Sequence, residues 1–357
     1  MADSMRVRSL FREYRVEFSE DAVATIRPQL KHETTFVVCD ERVFNTWGEY
    51  LSPLICQNRL MLVSPNEQSK TMEKSQELIE RLIAAGTRKN HTILAIGGGI
   101  TQDLAAFAAS ILYRGIEWVF LPTTLLAQAD SCVGSKTSIN VGDKKNLVGN
   151  FWPPRAAVID TRFLNSLAVD DVRSGIGEIL HFYFYSNSSM TRTLLAEYSA
   201  LLRDRSRLRP YIEESLNIKR GVVEVDEFDR NERHKFNYGH TFGHALESVS
   251  AYAIPHGLAV TVGMDIANFL SMKLGMMSES IFNELHAQLI VNFPSRSFDL
   301  REVHRYVEYL GKDKKNSGNT LGCVLAERPG VLCPRQVPLD ETLRTTLTQY
   351  FSGPWWR

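Results

Sequence analysis

The segment Thr92–Asp103, TILAIGGGITQD, constrains the fold more than any other stretch of the chain. A run of strand-forming apolar residues stops at three consecutive glycines and gives way to a small-residue helical pattern over Asp103–Leu112. Similar short apolar runs lie at Thr35–Cys39, Leu60–Val63, Glu117–Leu121 and Ala157–Ile159. Between them, Met72–Ala85 places Leu78, Ile79, Leu82 and Ile83 at helical spacing. Strands separated by helices predict βαβ units and a mainly parallel sheet. Tyr14–Phe18 is expected to form an opening strand.

From about Asp170 the pattern changes. Helical periodicity runs through Asp170–Tyr185, Ser189–Leu202, Pro210–Val225, His240–Val249 and His256–Leu274, with few strand runs. The expectation is a Rossmann-like α/β domain over residues 1–165 and a mostly α-helical domain over 166–357, with the boundary near Phe163–Val169. A length of 357 residues suits two such domains. An active site is expected in the cleft between them.

Composition excludes several function classes. Lys+Arg and Asp+Glu both total 41, and no basic stripe stands out, so no nucleic-acid partner is expected. No apolar run reaches the roughly 18 residues of a membrane helix, so no membrane partner is expected. Cys39, Cys56, Cys132, Cys323 and Cys333 are scattered, odd in number and without CxxC spacing. They read as reduced thiols of a cytoplasmic protein. The Arg-rich start carries Asp3 and Glu13 and lacks an apolar signal core, which favours a strand over a targeting peptide.

Two constellations could carry chemistry. In the first half, Gly97-Gly98-Gly99 at a strand end would let a backbone approach a pyrophosphate at a helix start. The same glycines would also serve a tight turn without a ligand. Asp40, Glu67, Lys70, Thr123 and Thr124 follow neighbouring strand runs, where ligands of open α/β sheets collect. In the second half, RHKFNYGHTFGH puts His240 and His244 on one helix face. With His256 in IPHG and Glu178 in GIGEIL, a carboxylate and two histidines could hold zinc and leave positions open. The histidine pair alone would equally suit a helix surface or a core. Lys136, Lys145, Lys219, Arg233, Lys314 and Lys315 could meet an anionic, phosphorylated and carboxylated sugar, although a solvated surface is the ordinary place for a lysine.

From about Thr35 to Gly330 the chain resembles the 3-dehydroquinate synthases, and more broadly the sugar-phosphate cyclases. The matching pieces include PNEQSKT, GGGITQD, LYRG, PTTLLAQADSCVGSKTSIN, KNLVGNFWPP, GEIL, RHKFNYGHTFGHALE, PHGLAV and DKK. The resemblance implies zinc on Glu178, His240 and His256, with cobalt able to substitute. It implies NAD across Gly97–Gly99, surrounded by Asp40, Glu67, Lys70, Asp103, Thr123 and Thr124. The substrate phosphate would meet Lys136, Asn146, Asn237 and His244, with Lys145 nearby and Arg114 reaching in from the partner subunit of a homodimer. Lys219 and Arg233 would bind a carboxylate, Asp130 the sugar hydroxyls, and Lys314 or Lys315 would close the pocket. The implied activity is a carbon–oxygen lyase acting on a phosphorylated seven-carbon sugar acid, 3-deoxy-D-arabino-heptulosonate 7-phosphate. The steps would be transient oxidation by NAD, β-elimination of phosphate, reduction, ring opening and an intramolecular aldol closure.

Three departures stand against the family pattern. His181 occupies the position of a lysine that touches substrate hydroxyls, so it enters the catalytic set as a shorter side chain with a different charge. Gln102 and Ala106 replace helix glycines, and Asn66 replaces the glycine of a PxGE pattern. These leave three other readings: a cyclase for a modified or amino sugar phosphate in secondary metabolism, a metal-dependent polyol dehydrogenase, and an inactive homologue with a binding role.

Overall fold

The structure is a computed structural model that describes residues 4–142, 144–295, 300–311, 316 and 318–356. The chain forms two compact units. The first comprises Met1–Ala168 and Arg205–Phe228, and the second Val169–Asp204 and Asp229–Arg357.

Among the described residues the first unit is built on nine strands: β1 (Ser4–Arg8), β2 (Glu13–Phe18), β3 (Thr35–Asp40), β4 (Leu60–Val63), β5 (Thr92–Gly97), β6 (Glu117–Pro122), β7 (Ile139–Val141), β8 (Lys144–Val148) and β9 (Ala156–Ile159). Seven of them make one sheet in the order β1-β2-β9-β6-β5-β3-β4. Within that sheet, among the described residues, only the β1–β2 pair is antiparallel. β3, β5 and β9 are buried at every residue, as expected for strands covered on both faces, whereas β1 and β2 alternate. Helices α1 (Ala22–Ile26), α2 (Glu41–Leu51), α3 (Met72–Ala84) and α4 (Gly99–Ile111) fall between strands. One core gathers Val37, Cys39, Leu94, Ile96, Val119, Leu121 and Val158 under Ala22, Ile26, Leu51 and Phe163. β7 and β8 pair as a separate hairpin.

The expected strands and most helices form within a residue or two of their sequence bounds. One helix differs: α4 begins at Gly99, four residues before Asp103, because the glycine turn passes straight into helical geometry.

The second unit contains α5 (Val169–Ser186), α6 (Met190–Arg203), α8 (His240–Val249), α9 (His256–Lys273), α10 (Glu279–Leu289), α11 (Leu300–Gly311) and α12 (Glu341–Ser352). The intervening α7 (Arg209–Val223) joins the first unit instead of the helical one in which the sequence reading placed it. Its Ser215 Oγ donates to Ala129 O at 2.8 Å, and Lys219 Nζ to Asp130 O at 2.8 Å. Helical periodicity marks a buried stripe, and tertiary packing selects the surface that buries it. The second unit also holds an antiparallel hairpin, β10 (Thr320–Arg328) and β11 (Val331–Pro338). In its core, wholly buried Asp265 of α9 accepts from Tyr350 Oη at 2.6 Å and pairs with His286 Nδ1 at 2.9 Å, which ties α9, α10 and α12 together. The Trp355 ring packs on Phe269, Phe282 and His286.

Candidate active site

Glycine contacts bring the second unit's helices close together. A methyl group on Gly177 would overlap the carbonyl oxygen of Gly257, and one on Gly257 would overlap that of Ser174. Only hydrogen side chains permit this approach of α5 to α9, and the Gly257 N–H donates to Ser174 Oγ at 2.9 Å. Each glycine adjoins a candidate ligand. Glu178 follows Gly177, and His256 precedes Gly257. His240 opens α8.

The three side chains converge. Glu178 Oε1 lies 3.1 Å from His256 Nε2 and 3.7 Å from His240 Nε2. The ligand atoms of the set lie within 4.8 Å of one another. The Glu178 side chain is 2% exposed in a helix otherwise buried from Gly175 to Phe184. A carboxylate there needs a cation or strong donors. Oε1 nevertheless accepts no well-formed hydrogen bond. One oxygen and two imidazole nitrogens around such an atom fit a divalent cation with open positions. Burial would raise the Glu178 carboxyl, but His240, His256 and His181 outweigh it and hold it below the usual carboxylate range. Burial would lower His256, but Glu247 and Glu178 raise it to about 10.

Around this set, His244 stacks near His256 with ring centroids 5.6 Å apart. Arg233 is buried on the 3-10 turn Glu232–Asn237 that precedes α8. Asn237 Nδ2 donates to His234 O at 2.9 Å. His181 is 1% exposed, its ring edge-on to His240 at 4.8 Å and enclosed by Phe182, Phe236 and Tyr238. Its Nδ1 lies 3.9 Å from Glu178 Oε2.

In the first unit, parallel register aligns the strand ends. Asp40 lies opposite Val63, and Gly97 opposite Pro122. Thr123 N donates to Gly97 O at 2.9 Å, and Thr124 packs over Gly98. Asp40 Oδ1 accepts from the N–H groups of Arg42 and Val43, so this carboxylate caps α2. Lys70 is buried, and its Nζ donates to Asp103 Oδ2 at 2.9 Å and to Asn146 Oδ1 at 2.5 Å. Burial raises the Asp103 carboxyl, against the pull of Lys70 and Ser138. Glu67 Oε1 accepts from Asn140 Nδ2 at 2.8 Å. Lys219 Nζ lies 2.8 Å from Asp130 Oδ1, so the expected carboxylate-binding and hydroxyl-binding residues already pair. Lys136 and Asn146 are exposed, and Lys145 is half-buried on β8. Arg114 is exposed at φ +60°, beside Tyr113 at φ +50°, in a turn whose carbonyls accept from Lys89 Nζ. Lys314 and Lys315 lie outside the described residues.

Two features escaped sequence reasoning. Glu247 Oε2 lies 3.1 Å from His256 Nδ1. Its signal was the seven-residue step from His240, which keeps both on one helix face. The second feature is Gln102, one of the departures. Its Nε2 donates to Ser131 O at 2.8 Å and its Oε1 accepts from Ser131 Oγ at 2.5 Å. That links α4 to the π-helical turn Ala127–Ser131, which carries Asp130.

A mainly parallel α/β unit with a glycine turn at a strand end, and a helical unit whose Glu–His–His set could hold a metal ion, define the class. Within that class the chain belongs to the 3-dehydroquinate synthase family. The family's N-terminal model matches residues 60–174 and its C-terminal model residues 175–316. The chain is 36% identical over 301 residues to the 3-dehydroquinate synthase of Dictyoglomus thermophilum, covering 83% of each chain. Its fold is similar to that of 2-deoxy-scyllo-inosose synthase solved with carbaglucose-6-phosphate, NAD+ and Co2+, with a TM-score of 0.85 at 24% identity, covering 97% of this chain and 99% of that one. It is also similar to 2-epi-5-epi-valiolone synthase from Streptomyces hygroscopicus subsp. jinggangensis with NAD+ and Zn2+ bound, with a TM-score of 0.78 at 22% identity, covering 96% and 97%. No helix among the described residues is long and apolar enough to cross a membrane.

Proposed function

We propose that the chain is a lyase that converts 3-deoxy-D-arabino-heptulosonate 7-phosphate to 3-dehydroquinate and phosphate. The observation that carries the reading is the convergence of Glu178, His240 and His256 in a chain that matches the family across both of its models.

Glu178, His240 and His256 would hold the divalent ion, zinc by this reading, with cobalt as a substitute. The Gly97–Gly99 turn with Asp40, Glu67, Lys70, Asp103, Thr123 and Thr124 would hold NAD. When bound, NAD takes up and returns a hydride, and the ion polarises the oxygen at the carbon being oxidised. The remaining work falls to the chain's own side chains. Lys219 and Arg233 bind the substrate carboxylate, and Asp130 accepts from the sugar hydroxyls once Lys219 turns to the incoming anion. Lys136, Asn146, Asn237 and His244 hold the phosphate and stabilise the charge that grows as it leaves. A ketone next to the reacting carbon acidifies its C–H, which permits β-elimination, and a ring nitrogen of His244 carries the proton. Reduction, ring opening and aldol closure complete the carbocycle without net redox change. Arg114, presented on an exposed turn, would serve the partner subunit of a homodimer. The described free cysteines suit a reducing, cytoplasmic compartment.

The test is to incubate the protein with this substrate, NAD and zinc. Phosphate release with a carbocyclic product and no net NADH is expected. Steady NADH accumulation on a simple polyol would make the protein a dehydrogenase. Phosphate release only from an amino or carboxylate-free analogue would reassign the substrate.

A further inference from the structure

We infer that Glu247 is a positioning residue of the metal site: its carboxylate accepts the Nδ1–H of His256 and so aims Nε2 at the ion. The inference rests on the metal reading above and goes beyond it, because Glu247 is not one of the three ligands.

His256 is the ligand least fixed by packing. Its side chain is 31% exposed, against 17% for His240 and 2% for Glu178. It is the first residue of α9, after the bend that carries Ala251 and Tyr252 at positive φ. A ring at such a position needs a tether. Glu247, 4% exposed on α8, supplies it, with Oε2 3.1 Å from Nδ1. The connecting bend is itself fastened at this residue, since Tyr252 N and Ser250 Oγ donate to Glu247 O at 2.8 and 3.0 Å. The opposite ring nitrogen, Nε2, faces Glu178 Oε1 at 3.1 Å. With the proton held on Nδ1, the Nε2 lone pair points into the donor set. A carboxylate behind a ligating histidine also makes the imidazole a stronger donor and offsets the charge of the ion.

His244, Glu247 and His256 also bring their ligand atoms within 4.8 Å of one another. A second ion there would have to share His256 and take Nδ1 as its ligand. The two arrangements make different predictions.

The experiment uses the full chain stripped of metal, with zinc affinity read by competition against a chromophoric chelator and ions per chain counted by elemental analysis. Wild type should bind one ion. Glu247→Ala should bind zinc about 100-fold more weakly. Glu247→Gln keeps an acceptor oxygen but loses the charge, and should bind about 10-fold more weakly. NAD affinity should stay unchanged in both, which separates positioning from general unfolding. The visible spectrum of the cobalt form should shift in both variants, because the His256 donor changes. If Glu247→Ala does not fold, Glu247→Gln carries the test alone. Wild-type zinc affinity in the variants overturns the inference. So do two ions in wild type with one lost on substitution, which would make Glu247 a ligand. A wild-type chain that binds no ion at all refutes the metal reading itself, a distinguishable failure.

Discussion

The two units place their functional groups by opposite means. In the second, Glu178, His240 and His256 sit on three helices held by backbone contact, α5 against α9 at Gly177 and Gly257 and α8 against α9 at Gly243 and Gly263. In the first, the groups come from strands, turns and separate helices, and they satisfy one another: Lys70 with Asp103 and Asn146, Lys219 with Asp130, and Asp40 with its own helix start. A metal site tolerates little error in distance, so rigid packing suits it. Cations awaiting an anionic ligand are better paired until the ligand arrives, because an unpaired buried charge is costly. The helical set is therefore preorganised, whereas a ligand reaching the first unit's groups would have to displace the pairs they already make.

Substitutions can break this contrast. The largest effect is expected from His256→Ala, which removes a ligand. Zinc uptake should fall by more than the roughly 100-fold that loss of an outer-shell partner costs, and phosphate release should fall with it. Full turnover by this variant without metal would remove the helical site from the chemistry. Next, Gly177→Ala should destabilise the protein by about 3 kcal/mol or more, because the added methyl overlaps a backbone carbonyl that cannot move cheaply. By contrast, a Cβ on Gly99 meets only Ser131 Oγ, at 4.0 Å. Gly99→Ala should change stability by less than about 1 kcal/mol. Denaturant melts of the pair would erase the comparison if the two costs came out equal.

Smaller effects sharpen it. Gln102→Gly removes two hydrogen bonds to Ser131 and should lose about 1–2 kcal/mol in thermal unfolding. An unchanged melting temperature would show that the π-turn holds Asp130 unaided. The smallest effect concerns pH in the metal-free protein. The folded-state His256 is raised from 6.5 to about 10, so its protonated form stabilises the fold fully below 6.5, and that contribution is lost as pH rises toward 10. With a third of the ring in solvent the change should be about 1 kcal/mol. Bound zinc replaces the proton, so the metal-loaded protein should show a flatter profile over this window. Identical profiles with and without zinc would contradict the assignment of His256.

Residues with a strong local signature were legible early. The TILAIGGG passage gave the strand and its turn, and the spacing of His240 and His244 gave a shared helix face. β7–β8 and β10–β11 were missed: the first is short and mostly polar, and the buried run Leu321–Ala326 of β10 lacks the alternation that marks a half-buried strand. The enclosure of His181 was equally hidden, since Phe236 and Tyr238 reach it from a distant segment.

By itself, the sequence determined which side chains were available, most of the segments that would be strands or helices, and the glycine turn after β5, because these depend on neighbours within a few residues. Only the tertiary structure decided that α7 returns to the sheet unit, that Gln102 grips Ser131, and that Glu247 stands behind His256. Those outcomes depend on contacts between separate elements, and the pattern within any one element does not say which neighbour its buried face will meet.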